Sequence, residues 1–248
     1  LNLFQIHSVG IVTGRDRLNI HHSTKSTIES MEKLSSLDLE EARECFGLGN
    51  DTLEWKVKNA IEDLKKSNLD WGKIQPIQYR PFDIRFTYYT GRSRGLHARP
   101  REKVMKYLGR ENNLGLISAR SNKSQSIDHF FVTRHIMEYK CGESSTNSAI
   151  FPLFLDSEDS SNLNSFLLKE LDNLGNVSAH DFLHYIYAIL YSQTYRDSFS
   201  DLLSIDFPRI PITNNSKLFW SLSQFGADLV ALHLLEDDYE FSSWVQEE

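Results

Sequence analysis

Residues 74–89 read IQPIQYRPFDIRFTYY, a stretch dense in β-branched and aromatic side chains around Pro76 and Pro81. Such residues favour strands, and a proline inside a run of them marks a strand edge or a turn. The stretch therefore predicts two strands joined by a turn near Pro81. Further strands are predicted for the short apolar runs at 8–13, 114–119, 129–133 and 149–155.

Helical patterns flank these strands. Apolar spacing predicts helices at 28–46 (two pieces broken near Ser35), 51–67, 100–108, 178–191, 194–203 and 216–235. Asp51 with Glu54 has the spacing of a capping box, and Pro100 suits the first position of a helix. Strands and helices fall in separate runs, so we expect an α+β fold: a β-rich part with flanking helices (1–157), then a helical C-terminal subdomain (158–248).

Composition gives a broad class. The chain has 248 residues and 40% hydrophobic residues, which is typical of a globular protein. It contains neither an apolar run long enough for a membrane helix nor a secretion signal. Two distant cysteines, Cys45 and Cys141, favour a reducing cytoplasmic location. The first residue is Leu1 rather than Met, so we expect a fragment of a larger protein.

Charge is distributed unevenly along the chain. The formal net charge is −7, but residues 78–140 carry 13 basic and 5 acidic residues, and nine of those basic residues are arginines. Residues 141–248 carry 4 basic and 17 acidic residues. Because a polyanion contacts one face of a protein rather than its average, the arginine-rich segment indicates phosphate or guanine recognition. The alternative is that some of these arginines pair with the acidic C-terminal third.

Sequence motifs for catalysis are weak. The chain has no phosphate-binding glycine loop, dinucleotide fingerprint or nucleophile elbow. His180 and His184 have the i, i+4 spacing of a metal pair, but two local helix histidines explain it better. Glu54-Trp55-Lys56 has a nuclease-like Glu-x-Lys form, yet the predicted helix would point the two side chains to different sides. We therefore predict no catalysis by this chain.

Several ordered motifs carry a family resemblance. They are QYRPFDIR (78–85) followed by Tyr88, Tyr89 and RPR (99–101), with SVGIVTGRD (8–16), FPLFL (151–155), YIYAILY (185–191), IDFPRIPI (205–212) and LHLL (232–235). With these motifs the chain resembles the C-terminal specificity, or target recognition, domain of Type ISP restriction–modification enzymes. The resemblance covers most of the chain.

The resemblance implies a function and partners. Such a domain reads a double-stranded DNA site for an adenine methyltransferase core, with helicase and nuclease parts also upstream in the parent chain. S-adenosylmethionine, ATP and Mg²⁺ are implied for those upstream parts, and no cofactor is implied for this fragment. The chain lacks the Asn-Pro-Pro-Tyr motif of an adenine methyltransferase.

Base reading requires side chains that reach the groove edges and others that contact phosphates. The strongest candidates lie in TGRSRGLHARPR (90–101), where arginines alternate with small residues; they are Arg92, Ser93, Arg94, Arg99 and Arg101. A second candidate loop, 119–125, supplies Arg120, Asn122, Lys123 and Gln125. Weaker candidates are Arg15, Arg134 and His135. For Arg80, Asp83 and Arg85 we expect internal ion pairs instead.

Two other classes remain open from the residues alone. A protein-interaction or scaffolding module would explain the acidic helical third, although not the arginine-rich segment. A stand-alone nuclease rests only on Glu54 and Lys56. We expect the aromatic residues of the C-terminal third to be mostly core, and that third to support the reading part or to face the methyltransferase.

Overall fold

The computed structural model describes residues 3–109, 113–122, 128–156 and 160–236. The strands in these ranges are β1 (Ser8–Val9), β2 (Ile74–Arg80), β3 (Asp83–Tyr88), β4 (Gly115–Ala119), β5 (Phe131–Thr133), β6 (Ile136–Met137) and β7 (Ser148–Pro152). The α-helices are α1 (Asp16–Asn19), α2 (Thr24–Ser36), α3 (Leu39–Phe46), α4 (Val57–Lys66), α5 (Glu102–Met105), α6 (Ser165–Leu171), α7 (Ala179–Tyr191), α8 (Gln193–Ser198), α9 (Ser200–Ile205) and α10 (Ser216–Leu234). The predicted α+β class, with a helical C-terminal part, is confirmed.

The stretch 74–89 forms the predicted pair of strands. β2 and β3 run antiparallel, with Ile77 opposite Arg85, and Phe82 in the turn has a left-handed backbone conformation with φ of 57°. β6 joins the other edge of β2 in parallel orientation, which gives the order β3-β2-β6. The sequence did not predict β6, because a strand of two residues is too short for an alternating pattern.

A second sheet contains four antiparallel strands in the order β1-β7-β4-β5. Successive residues of a strand point to opposite faces, so this sheet contributes to two cores. Leu116 and Phe151 pack against the C-terminal helices, whereas Ile117 and Ile150 pack in the core shared with the three-stranded sheet. β1 is an edge strand of this sheet, and the candidate site lies beside it.

The N-terminal helices form a third core with β3. Leu34 of α2, Ala42 of α3 and Leu64 of α4 pack with Tyr88 and the buried Trp55. The predicted break between two helical pieces is confirmed at 37–38. There the Asp38 carboxylate accepts the N–H groups of residues 40 and 41 at the start of α3, which caps the second helix.

The C-terminal helices α7 and α10 pack closely against each other. Gly226 of α10 lies so near the His184 carbonyl that a Cβ at this position would overlap it. The predicted capping box of Ser178 and Asp181 at the start of α7 is confirmed. The hydroxyl of Tyr191 donates to the Phe130 carbonyl at 2.6 Å. Elements on both sides of the division proposed at 157 therefore share one hydrophobic core.

One helix prediction is wrong at its start. α4 begins at Val57, not at Asp51, and Glu54 lies in the preceding loop. The Thr52 N–H donates to the Trp55 carbonyl at 2.8 Å, and the Trp55 N–H donates to Thr52 Oγ1 at 3.0 Å. This turn places the indole in the core, so burial of Trp55 overrides the local capping pattern. The Asp51 carboxylate instead accepts the Val57 N–H at 3.2 Å.

The helix predicted from Pro100 is also shorter than expected. Only Glu102–Met105 is α-helical, and its start is delayed because Arg101 has a left-handed conformation with φ of 59°. Gly109, the predicted stop of this helix, has a φ of 75°. A helix of one turn does not form the phosphate site expected at its N-terminus.

Candidate nucleic-acid interface

The arginine loop, defined as residues 90–101, is anchored to α4 by Asp63. This buried carboxylate accepts the Thr90 hydroxyl at 2.7 Å and the Leu96 N–H at 2.9 Å. The Leu96 carbonyl accepts the Trp55 indole N–H at 2.9 Å and the Asn19 amide at 2.8 Å. Polar groups from three other segments therefore fix the backbone of the loop.

Two arginines of this loop have unusual backbone conformations. Arg94 and Arg101 have φ values of 57° and 59°, in the left-handed region that non-glycine residues rarely occupy. Such a conformation costs on the order of 1–3 kcal/mol and persists where the surrounding structure imposes it. Arg99 is held differently, by backbone hydrogen bonds of 3.0 Å in both directions with Val12. The side chains of all three arginines line one groove.

This groove, here named the arginine groove, has a volume of about 700 Å³. Its lining includes four of the predicted DNA contacts: Ser93, Arg94, Arg99 and Arg101. His7 and Ser8, at the start of β1, form another part of its wall. Lys103 also lines it; this residue was not among the predicted contacts, although it lies in the basic segment 78–140.

A second groove of about 480 Å³ meets the first along β1. His7 and Ser8 line both grooves, and Arg120, Ser121 and Lys140 line the second. Lys140 was likewise not selected from the sequence. Because the two grooves share His7 and Ser8, they adjoin at the edge strand β1, and we name them together the basic cleft. Its lining takes residues from the first candidate loop and Arg120 from the second.

Two carboxylates contact the arginines of the basic cleft. Arg99 Nη2 donates to Glu54 in a short hydrogen bond, and both side chains are close to half exposed. This bond to Arg99, with Arg94 and Arg101 nearby, lowers the pKa of Glu54. Arg120 lies 3.5 Å from Asp206 of the C-terminal part, and both side chains are more than half exposed. Exposed pairs of this kind contribute little stability and can exchange partners.

The buried parts of the arginine loop hold unsatisfied donors. Within the described ranges, Arg92 Nη1 and Arg101 Nε are buried without a hydrogen-bond acceptor. Burial also lowers the pKa of Arg101, with Arg99 adding repulsion. Arginine stays charged even so. The loop therefore keeps two guanidinium N–H groups without an acceptor in the described part of the chain.

Other predicted contacts lie elsewhere. The Arg15 guanidinium donates to the carbonyls of residues 14, 48 and 50 and stacks on Trp55, so its position is that of a structural residue. Arg134 donates to Glu236 at 2.5 Å and, with His135, lines a separate cavity of about 140 Å³. Asn122 is buried. Lys123 and Gln125 lie outside the described residues.

The expectation of internal ion pairs around Pro81 is confirmed. Arg85 Nε lies 2.5 Å from Asp83. Arg80 pairs with Glu138 of the neighbouring segment, with Nη1 2.7 Å from the carboxylate. Glu138 is itself buried, and burial raises the pKa of its carboxyl. This turn is thus bound within the fold.

The two weak catalytic motifs of the sequence lie in different parts of the chain, one before α4 and one on α7. Glu54 and Lys56 precede α4, so the prediction that they lie on a helix is wrong. His180 and His184 lie on α7 with ring centroids 6.3 Å apart, and burial lowers the pKa of His184 to about 4. Within the described residues, no three His, Cys, Asp or Glu side chains gather as metal ligands, and no helix is long and apolar enough to cross a bilayer.

Three solved structures similar to this chain are complexes with DNA. The matches include a DrdV–DNA complex solved by cryo-EM (TM-score 0.67, 21% identity) and a nuclease-deletion mutant of the Type ISP enzyme LlaGI with a DNA substrate mimic (0.62, 21%). The ATP-dependent Type ISP enzyme LlaBIII bound to DNA also matches (0.62, 18%). These alignments cover 96–97% of this chain but 24%, 22% and 16% of the respective longer chains. At these identities the likeness shows a shared fold.

Sequence comparison gives a more specific assignment. No curated protein matches the chain significantly. A family model described as the Type ISP C-terminal specificity domain matches residues 2–247, nearly the whole chain. This chain therefore belongs to the Type ISP C-terminal specificity domain family.

Proposed function

We propose that this chain recognises a double-stranded DNA target for a restriction–modification enzyme, and that the basic cleft contacts the duplex. The observation that carries the proposal is the cleft itself. Arg94, Arg99 and Arg101 line its first groove, and Arg120 with Lys140 line the adjoining groove that shares His7 and Ser8. A chain with net charge −7 thus presents a concentrated cationic surface to one ligand.

The side-chain chemistry fits both parts of DNA recognition. Guanidinium groups bind phosphate oxygens and also the O6 and N7 acceptors of guanine. Lys103 and Lys140 suit contacts with phosphates, and such contacts set the position of a protein on the duplex. The solved relatives are complexes with DNA, and this supports a DNA ligand over another polyanion.

In this proposal the chain binds and does not catalyse. Methylation of adenine, translocation and cleavage belong to upstream parts of the parent chain, together with their S-adenosylmethionine, ATP and Mg²⁺. The limited coverage of the longer relatives supports a division of labour of this kind. A metal-dependent cleavage assay on plasmid DNA tests this point, since cleavage by the isolated chain would favour the nuclease alternative of Glu54 and Lys56.

One observation favours an additional role in protein contact. Phe199, Leu202 and Ile205 of the segment around α8 and α9 are each more than 40% exposed. Exposed apolar residues that lie together mark contact surfaces. We propose that this surface faces the upstream methyltransferase part, so the charge-neutral change Leu202→Gln should weaken association with that part and leave the DNA affinity of the isolated chain unchanged.

The experiment for DNA binding is a titration with duplex DNA across a salt series. We expect the affinity to fall steeply with salt, because each neutralised phosphate releases counterions. Arg94→Ala should weaken binding by about 1–3 kcal/mol on a preferred sequence if it reads guanine, and equally on all sequences if it contacts phosphate. Arg134→Ala removes the same charge outside the cleft and serves as the control. A flat salt dependence, or a greater loss in the control, would contradict the proposal.

A further inference from the structure

Glu54 is a carboxylate in the wall of the arginine groove, whose lining also includes Arg94, Arg99, Arg101 and Lys103. Glu102 also lines this groove, but its carboxylate accepts the buried Tyr89 hydroxyl at 2.8 Å, which gives it a structural partner. The carboxylate of Glu54 is bonded to Arg99, which lines the same groove. A groove that only contacted phosphates would bind them better without Glu54, since like charges repel.

The contribution of the Glu54–Arg99 pair to stability does not explain it. The side chains are 44% and 48% exposed. Ion pairs this exposed contribute little to folding. The backbone of each residue, however, is fixed. Glu54 lies inside the turn closed by Thr52 and Trp55, and Arg99 is paired with Val12. Both polar groups are thus presented from rigid supports, as a recognition site requires.

The two groups have complementary chemistry. The bond to Arg99 lowers the pKa of Glu54, so its carboxylate is ionised and only accepts hydrogen bonds. A guanidinium has five N–H donors in a planar fork, and the bond to Glu54 is made by Nη2 of Arg99 alone. In the major groove, cytosine presents an N4 donor and guanine presents the O6 and N7 acceptors.

We propose that Glu54 and Arg99 read one C·G base pair together, with Glu54 accepting from cytosine N4 and Arg99 donating to guanine. This inference rests on the proposed DNA recognition and names the residues that determine one position of the target. The two bases of a pair are adjacent in the major groove, so two side chains already in contact can span them. Glu54 also lowers the affinity for other bases at the cytosine position. Its carboxylate repels the acceptors that thymine or guanine would present there.

The test is selection from a pool of duplexes with a randomised stretch, sequenced before and after binding to the 248-residue chain. Glu54→Ala and Arg99→Ala are compared with the wild type. The control is Glu62→Ala on α4, which removes an equally exposed carboxylate that is paired with Lys58. Thermal unfolding of each variant checks that the fold is kept.

We expect the wild type to enrich a sequence containing a C·G position that both variants relax, by roughly 5- to 100-fold in relative affinity. Glu54→Ala should at the same time bind random DNA more tightly, because a negative charge leaves the cleft. Glu62→Ala should keep the wild-type profile. Unchanged profiles in both variants, or losses at two different base pairs, would overturn the inference. A wild type that enriches no sequence would instead contradict the proposed DNA recognition.

Discussion

His97 is fully buried within the arginine loop. Its Nε2 lies 2.9 Å from the Thr87 hydroxyl, and within the described residues its Nδ1 has no hydrogen-bond partner. Burial lowers the pKa of His97 to about 4 from an ordinary value of 6.5. The folded protein therefore keeps this imidazole neutral in a pH range where the unfolded chain takes up a proton. A residue at the base of the loop thus links its stability to pH.

The sign of this linkage gives a prediction for acid conditions. Between about pH 6.5 and pH 4 the unfolded chain binds the additional proton, so the free energy of unfolding should fall as the pH falls. The contribution of His97 is on the order of 3 kcal/mol, and it is fully present above about pH 6.5. Denaturant titrations across this range should show that the free energy of unfolding depends less steeply on pH in His97→Gln than in the wild type. The exposed His22→Gln is the control, and equal slopes in both variants would contradict the prediction.

The arginine loop takes its shape from a different element. Asp63 belongs to α4, and its carboxylate accepts from Thr90 and Leu96 within the loop. Gly95 fits only because it has no side chain, since a Cβ there would overlap the same carboxylate. The shape of the arginine groove therefore depends on the buried carboxylate of Asp63.

This dependence can be tested by removing the carboxylate. In electrostatic terms alone, Asp63→Ala should strengthen DNA binding, because it removes an acidic group. We expect weaker binding instead, since the loop loses its anchor, and a loss of about 1–3 kcal/mol in stability from the unsatisfied buried donors. Fluorescence anisotropy and thermal unfolding measure the two effects. Glu62→Ala on the same helix is the matched control, and an equal gain in affinity for both variants would show that the loop keeps its shape unaided.

The whole molecule combines a basic cleft with an acidic helical part. Residues 141–248 carry 4 basic and 17 acidic residues, yet α7 and α10 pack on the sheet that contains β1. Leu116 of β4 and Phe151 of β7 are both fully buried against this helical part. The predicted core role of Phe182, Tyr185 and Phe219 is confirmed, as these side chains are buried in the same core.

A truncation after residue 175 tests whether the C-terminal part supports the reading part. Each large apolar side chain that loses its cover costs about 1.5–3 kcal/mol. Several such losses exceed the 5–15 kcal/mol that stabilises a typical domain. We therefore expect the shortened chain to lose cooperative unfolding in calorimetry and to lose DNA binding. A truncated chain that unfolds cooperatively and binds DNA as the full chain does would refute the supporting role.

Local sequence patterns were enough to predict the α+β class, the strand pair at 74–89, the capped start of α7 and the arginine-rich segment. These features depend on residues a few positions apart, because propensity, caps and turns act locally. The local patterns misplaced the start of α4, where burial of Trp55 outweighed a local cap. Local pattern is thus a good guide to elements and a poor one where a side chain must reach a distant core.

Which cations share a site depends on how the folded chain brings distant segments together. Arg99 meets Glu54, 45 residues away, inside the cleft, whereas Arg134 meets Glu236, 102 residues away, outside it. Arg15 and Arg94 look alike in the sequence, yet one is bound to backbone carbonyls and the other lines the cleft. The surroundings of a charged side chain are set by which segments the folded backbone brings together. The residues next to an arginine in the sequence therefore do not indicate whether its side chain lies in the cleft.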